Sequence, residues 1–348
     1  MKEGVAFGVI FDMIQEAISR LADKKDLLDN EAAKAMEDIM EGKATNAQVA
    51  AFLVGLRLKG ENTEEITACA RIMREKSIRI DPDAKFLVDT CGTGGDNSGT
   101  FNISTAAAFV AAGAGASVAK HGNRSISSKC GSADVLKALG VNIELEPKKV
   151  EECIEKIGIG FLFAPKFHPA MKFAMEARKE IGIRTVFNIL GPLTNPAGAR
   201  SQLIGVFDPR LMPLMANVLK NLGSRHAMIV NGCGLDEVTL TGKTDVFELK
   251  NGITEQHSIN PEELGFELCP ANELKGGSAE ENAGIITSIF NGLKGPKRDV
   301  VVLNAAAALL TTGLAKDFEG AISLAKRSID SGNALKKLNE LIEFTNNA

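Results

Sequence analysis

The amino-acid sequence predicts an α/β protein in two parts: a small all-helical N-terminal domain and a larger α/β domain with a mostly parallel central sheet. Three observations predict it. Up to residue 78, apolar residues recur only at helical spacing. From Phe86 onward, short apolar runs alternate with helical stretches, the pattern of strands joined by crossover helices. Near the end of that region, Asn251-Gly252 sits between two β-patterned runs and marks a hairpin, which adds antiparallel strands.

The elements follow in order. Ile10, Ile14, Ala17, Ile18 and Leu21 form one helical stripe, and Val49, Phe52, Leu53 and Leu56 another. Thr45-Asn46-Ala47-Gln48 is a capping box before the second, because a Thr hydroxyl and a Gln amide satisfy each other's free N–H groups. Gly60 ends that helix, and Thr63, with Glu64 and Glu65, starts the next, which carries Ile66, Ala70 and Met73. Arg79–Asp83 is turn-like, so the helical domain is set at 1–78 and the α/β domain at 79–348. Candidate strands are Phe86–Asp89, Ser117–Ala119, Gly160–Phe163, Gln202–Phe207, Ala227–Val230, Asp245–Leu249 and Ile253–His257. Ala133–Leu139 and Leu211–Leu222 read as helices ended by Gly140 and Gly223. The C-terminal part is helical, with polar linkers at Gly276-Gly277 and Gly295-Pro296.

Composition narrows the function classes. The 348 residues are 45% apolar, enough to fill a large core. Lys plus Arg number 40 against 44 Asp plus Glu, a net charge of −4, so a general nucleic-acid binder is not expected. Six cysteines form no C-x-x-C and read as reduced thiols of a cytoplasmic protein. There is no signal-peptide pattern and no apolar run long enough for a membrane span.

The chemistry concentrates in two loops. Asp89–Thr105 leaves a buried strand and enters an Ala-rich helix through Gly92, Gly94, Gly95 and Gly99. Such a loop lets backbone N–H groups converge on an anion in front of a helix N-terminus. A tight strand-to-helix turn with no ligand would use the same glycines. It is not a P-loop, because Thr100-Phe101 stands where Lys and Ser/Thr are required, nor a dinucleotide fingerprint, because Asn97 replaces the third glycine. The second loop, Lys120–Lys129, combines three cations with hydroxyl donors and leads through Gly131-Ser132 into a helix. Alone it could be a solvated basic loop. Both loops, however, follow strands of a parallel sheet, where ligands bind.

Gly92-Thr-Gly-Gly-Asp96, Asn102-Ile-Ser-Thr105, Lys120-His-Gly-Asn-Arg124, Gly131-Ser-Ala-Asp134 and Phe187-Asn-Ile-Leu-Gly-Pro-Leu-Thr-Asn-Pro196 together resemble the anthranilate phosphoribosyltransferase family over nearly the whole chain. Asn97, where glycine is common, and Asn231 and Cys233 ahead of the acidic pair are small departures. The resemblance implies a fold shared with pyrimidine nucleoside phosphorylases, in which a segment near 165–190 returns to the helical domain. It implies transfer of 5-phosphoribosyl from its 1-diphosphate to the amine of anthranilate in tryptophan biosynthesis, by a homodimer with two Mg²⁺ per monomer. It assigns Gly92, Gly95, Asp96, Thr100, Asn102, Ile103, Ser104, Thr105, Lys120, His121, Gly122, Asn123, Arg124, Ser125, Ile126, Ser127, Ser128 and Ser132 to phosphoribosyl diphosphate. Gly92, Asn123 and Arg178 fall to anthranilate, and Ser104, Asp236 and Glu237 to magnesium, whose preference is for hard oxygen donors. Taken alone, Arg178 reads as part of a solvated helix face and Asp236-Glu237 as a surface turn. No nucleophile–base set is evident, and the four histidines lack metal-ligand spacing. A nucleoside phosphorylase is the alternative enzyme, and a non-catalytic nucleic-acid-binding relative on the same scaffold the alternative class. The acidic pair speaks against the first and the net charge against the second.

Overall fold

The structure, a computed structural model, describes residues 13–96, 98–125 and 130–348. Ile10 of the first stripe, Asn97, Ile126, Ser127, Ser128 and Lys129 lie outside the described residues. The chain divides into two compact units. One runs to Lys76 and takes in Ala170–Phe187; the other comprises Ser77–Pro169 and Asn188–Ala348.

In chain order the elements are helices α1 (Met13–Ala22), α2 (Asp29–Met40), α3 (Asn46–Lys59) and α4 (Thr63–Glu75), then β1 (Leu87–Gly92), α5 (Ile103–Gly113), β2 (Ser117–Gly122), α6 (Ser132–Ala138) and α7 (Pro147–Ile157). Next come β3 (Ile159–Phe163), α8 (Ala164–Phe167), α9 (Lys172–Ile181), α10 (Phe187–Leu193), β4 (Ser201–Gly205) and α11 (Leu211–Asn221). β5 (His226–Gly232), β6 (Thr244–Lys250) and β7 (Ile253–Ile259) precede the last helices, α12 (Ala279–Phe290), α13 (Pro296–Thr312), α14 (Phe318–Asp330) and α15 (Asn333–Asn347).

The helical unit is built from α1–α4 and α9. The predicted stripes are its core: α1 buries Ile14, Ala17 and Leu21, and α3 buries Val49, Phe52, Leu53 and Leu56. The Thr45–Gln48 capping box forms, with Thr45 N–H donating to Gln48 Oε1 at 2.9 Å. Thr63 is the first residue of α4, as read, but its cap is Asn62, whose Oδ1 accepts from Glu65 N–H at 2.9 Å. Glu65 is 1% exposed and also accepts from Leu27 N–H, which ties α4 to the start of α2. The sequence reading passed over α2, whose buried face mixes Ala32, Ala35 and Asp38 with Met36, Ile39 and Met40 and so gives no clean apolar stripe.

The α/β unit contains a seven-stranded sheet in the order β3-β2-β1-β4-β5-β6-β7. β1 to β5 run parallel; β6 and β7 are antiparallel and form the hairpin predicted at Asn251-Gly252. Each predicted strand is present. β1 begins one residue later than read, because Phe86 sits at φ 56°, and runs on to Gly92, where it pairs with Gly205. Strand order reverses between β1 and β4, which opens a crevice at the carboxyl ends of the strands. α5 and α13 pack on the sheet and on each other, and almost every side chain of both is buried, which explains their long Ala and Val runs.

Candidate active site

The loop after β1 turns on two consecutive left-handed glycines, Gly94 at φ 62° and Gly95 at φ 79°, a path that side chains with a Cβ rarely follow. Thr93 N–H donates to Gly205 O at 2.9 Å, which closes the loop onto the end of β4. Asp96 Oδ1 accepts from Ser98 N–H at 3.1 Å. Gly276-Gly277 is more than the linker read from the sequence: Gly276 N–H donates to Gly99 O, Phe101 N–H donates to Leu274 O, and Thr100 bridges Lys275. This segment runs alongside the loop and holds it extended.

The same loop delivers the start of α5. Asn102 spends its amide on structure, donating to Cys130 O at 3.2 Å and accepting from Asn282 at 3.0 Å, so it ties the first loop to the second. Ile103 places its side chain in the core and its N–H on Phe101 O, which leaves it to shape the turn. Ser104 and Thr105 follow at the helix N-terminus, where the dipole favours anions. Thr105 Oγ1 is buried with no hydrogen-bond partner among the described residues.

Lys120, on β2, is 3% exposed. Its ammonium donates to Thr90 O at 2.6 Å and lies 3.4 Å from Ser104 Oγ. Among the described residues it has no carboxylate within ion-pair distance, and burial pulls its pKa down. A buried ammonium that Asp89 and Glu237 act on from beyond ion-pair distance, beside a helix N-terminus, is suited to an anionic ligand. His121 is a different case. It is buried against His168, with ring centroids 5.1 Å apart, and burial pulls its pKa down to about 3, so it is a neutral ring and no cation. Gly122 ends β2, and Asn123 and Arg124 are exposed on the loop that follows. Asp134, in the first turn of α6, accepts from both Ser125 N–H and Gly131 N–H and closes the base of that loop, while Ser132 Oγ approaches Asn123 O at 3.4 Å.

Asp236 and Glu237 lie between β5 and β6, beside these two loops. Gly94 N–H donates to Asp236 Oδ2 at 2.9 Å, and Ser104 N–H donates to Glu237 Oε1 at 3.1 Å. The approach is close: a Cβ on Gly205 would fall 1.6 Å from Asp236 O, and one on Gly92 would fall 2.6 Å from Asp236 Oδ2. Both acidic residues keep some surface in water, yet protein crowds their carboxyl groups. Burial, with Asp96 alongside, pushes Asp236 up to about 7, and burial and Asp236 push Glu237 well above the usual carboxylate range. Neither has a cationic partner within ion-pair distance among the described residues. Crowded, unpaired hard oxygens are a donor set that fits magnesium. No cluster of three or more His, Cys, Asp and Glu side chains among the described residues is arranged to hold a metal unaided. A magnesium ion here would complete its shell with water and substrate phosphate.

Arg178 is in α9, in the helical unit. It is half-buried, its guanidinium stands 5.0 Å from the Phe187 ring centroid, and no carboxylate pairs with it among the described residues. The solvated helix face suggested by its neighbours is thus not its environment. His226 is buried and paired with Glu248 on β6, beside a cavity of about 660 Å³ that contains none of the predicted site residues.

Sequence reasoning gave no role to Gly205, quoted Asp134 only within a motif, and read Gly276-Gly277 only as a linker. A glycine ending a strand, and an acid three residues after Gly131, were the available signals for the first two.

The chain matches the glycosyl transferase family a/b domain over residues 84–335 and the helical bundle domain of the same family over residues 15–77. It is 57% identical to an anthranilate phosphoribosyltransferase of Acetivibrio thermocellus over 96% of this chain and 97% of that one. Its fold is similar to that of anthranilate phosphoribosyltransferase from Thermus thermophilus, with a TM-score of 0.91 at 42% identity, covering 97% of this chain and 100% of that one. It is also similar to the Saccharomyces cerevisiae enzyme in complex with PRPP and Mg, with a TM-score of 0.89 at 28% identity over 96% and 98% of the two chains.

Proposed function

The chain belongs to the anthranilate phosphoribosyltransferase family, and from that membership we propose how its residues divide the work of the reaction. The enzyme transfers the 5-phosphoribosyl group from 5-phospho-α-D-ribose 1-diphosphate to the amine of anthranilate, giving N-(5-phosphoribosyl)anthranilate and pyrophosphate. The C1–N bond forms, the C1–O bond to pyrophosphate breaks, and the amine loses a proton.

An aromatic amine is already neutral near pH 7, so the site has little need of a strong base. Its task is to stabilise a departing pyrophosphate and a ribosyl group with cationic character, by position and charge. The glycine loop, the N-terminus of α5 and Lys120 receive the diphosphate. Asn123, Arg124, Ser125 and Ser132, with Ile126, Ser127 and Ser128, are assigned to the rest of the sugar phosphate. Asp236 and Glu237, with Ser104, hold magnesium, two ions per monomer. Bound magnesium neutralises charge on the diphosphate. Arg178 is assigned to the anthranilate carboxylate, and Gly92 and Asn123 are also assigned to anthranilate. In this reading residues 1–78 and the segment near 165–190 form one domain and 79–348 the other, and the enzyme is a cytoplasmic homodimer of the tryptophan pathway.

The observation that carries this reading is a buried cation and two crowded carboxylates that face one helix N-terminus without forming an ion pair. Among the described residues Lys120 is buried with no carboxylate within ion-pair distance, and the two crowded carboxylates of the loop after β5 have no cation within that distance, although Asp89 and Glu237 are near enough to act on the ammonium. Magnesium and a diphosphate together satisfy both. Loss of anthranilate fluorescence on adding phosphoribosyl diphosphate and Mg²⁺ is the test, with uracil or thymine plus ribose 1-phosphate as the control for a phosphorylase. Absence of anthranilate turnover by folded protein would overturn the reading.

A further inference from the structure

Asn304 is fully buried in the middle of α13, between Val300–Leu303 and Ala305–Leu309, all of which are apolar. An amide at such a position costs stability unless every polar atom is satisfied. Here all are, and two of the three bonds address a single residue. Asn304 Oδ1 accepts from Val238 N–H at 3.0 Å, and Nδ2 donates to Val238 O at 2.7 Å and to Val300 O at 2.9 Å. The side chain grips both backbone groups of Val238, as a neighbouring strand would.

Val238 directly follows Glu237. The path of Asp236 and Glu237 is otherwise fixed by crowding against Gly205 and Gly232 and by bonds to the glycine loop and to Ser104. α13 also packs along α5, the helix that presents Ser104. One helix therefore supports both partners of the bond between Ser104 N–H and Glu237. A leucine at 304 would suit the surrounding core, so burial alone does not call for an amide.

We infer that Asn304 is a positioning residue for the cation–diphosphate site: by clamping the Val238 backbone it sets the register of Asp236 and Glu237 against the N-terminus of α5. The inference rests on the proposed magnesium role of the acidic pair.

The test compares Asn304→Leu with Leu303→Ala, a neighbouring core change that weakens α13 while leaving the Asn304 side chain and its bonds to Val238 in place. Binding of Mg²⁺ with inorganic pyrophosphate is followed by calorimetry, alongside the Mg²⁺ dependence of turnover and the KM for anthranilate. Asn304→Leu should weaken Mg²⁺-dependent pyrophosphate binding about tenfold or more, as loss of a group supporting metal ligands does, and leave the anthranilate KM unchanged. Leu303→Ala should lower Tm and leave the Mg²⁺ dependence alone. Equal shifts in both variants, or none in Asn304→Leu, would overturn the inference. A measurement on unaltered protein guards against a variant that fails to fold. Without ligand, the Val238 amide should exchange hydrogen far more slowly than those of Gly234 and Asp236, and equally fast exchange would also overturn the inference. Asp236→Ala/Glu237→Ala separates the two layers. If that double variant keeps normal Mg²⁺ dependence, the magnesium reading itself fails; if it loses it while Asn304→Leu does not, only the role of Asn304 fails.

Discussion

Gly94 donates its backbone N–H to the Asp236 carboxylate at 2.9 Å across 142 residues of sequence, so the glycine loop after β1 and the acidic loop after β5 form one structure. The bond is possible because Gly205, at the end of β4 between them, has no side chain. The two loops, to which the proposed function gives the anion and the cation, are therefore mechanically linked.

Gly205→Ala should break that link. Its new methyl would overlap Asp236 O, and overpacking of this kind costs about 1–3 kcal/mol. We expect a lower Tm together with a higher Mg²⁺ requirement, measured by thermal melts and by Mg²⁺ titration of turnover. A lower Tm with normal Mg²⁺ response would show that the two loops act independently.

The double change Asp236→Ala/Glu237→Ala should lower substrate affinity and turnover at low Mg²⁺, with partial recovery in excess. In the proposed site the substrate pyrophosphate would bring one ion by itself, and the carboxylates would tune a second. Steady-state kinetics over a range of Mg²⁺ concentrations would reveal an unchanged dependence if the pair were only a surface turn.

As pH drops from 7 to 5, two buried histidines should each withdraw stability from the fold. Burial pulls His121 down to about 3 and His168 down to about 4, so the unfolded chain takes up protons near pH 6.5 that the folded chain refuses. Each group then removes on the order of 2 kcal/mol between pH 7 and pH 5. Asp89, Asp236 and Glu237, whose pKa values are raised, act in the opposite sense. The variant His168→Gln isolates the histidine contribution. The Tm of this variant relative to the unaltered protein should rise as the pH goes from 7 to 5, and a difference that does not change with pH would exclude the assignment.

Much of this was legible in the sequence, and the exceptions have physical causes. Strands, hairpin and the Thr45 cap depend on local periodicity and short-range hydrogen bonds, which a single chain displays. The extension of β1 to Gly92 was hidden because its last residues are polar or glycine and are held by pairing with β4. The role of Gly205 depends on a carbonyl 31 residues away, and the half-burial of Arg178 on packing that its exposed helix neighbours do not reveal. His121 counted as part of a polar loop until its burial against His168 made it a neutral ring.

The central claim is the division of the site between its two substrates, and calorimetric titration of Arg178→Ala and Lys120→Ala with each substrate tests it most directly. A hydrogen bond to a charged group is worth about 1.5–3 kcal/mol, so Arg178→Ala should weaken anthranilate by roughly 10- to 150-fold and barely change phosphoribosyl diphosphate. Lys120→Ala should do the reverse. If Arg178→Ala lost the diphosphate substrate and kept anthranilate, the assignment of the two pockets would be contradicted.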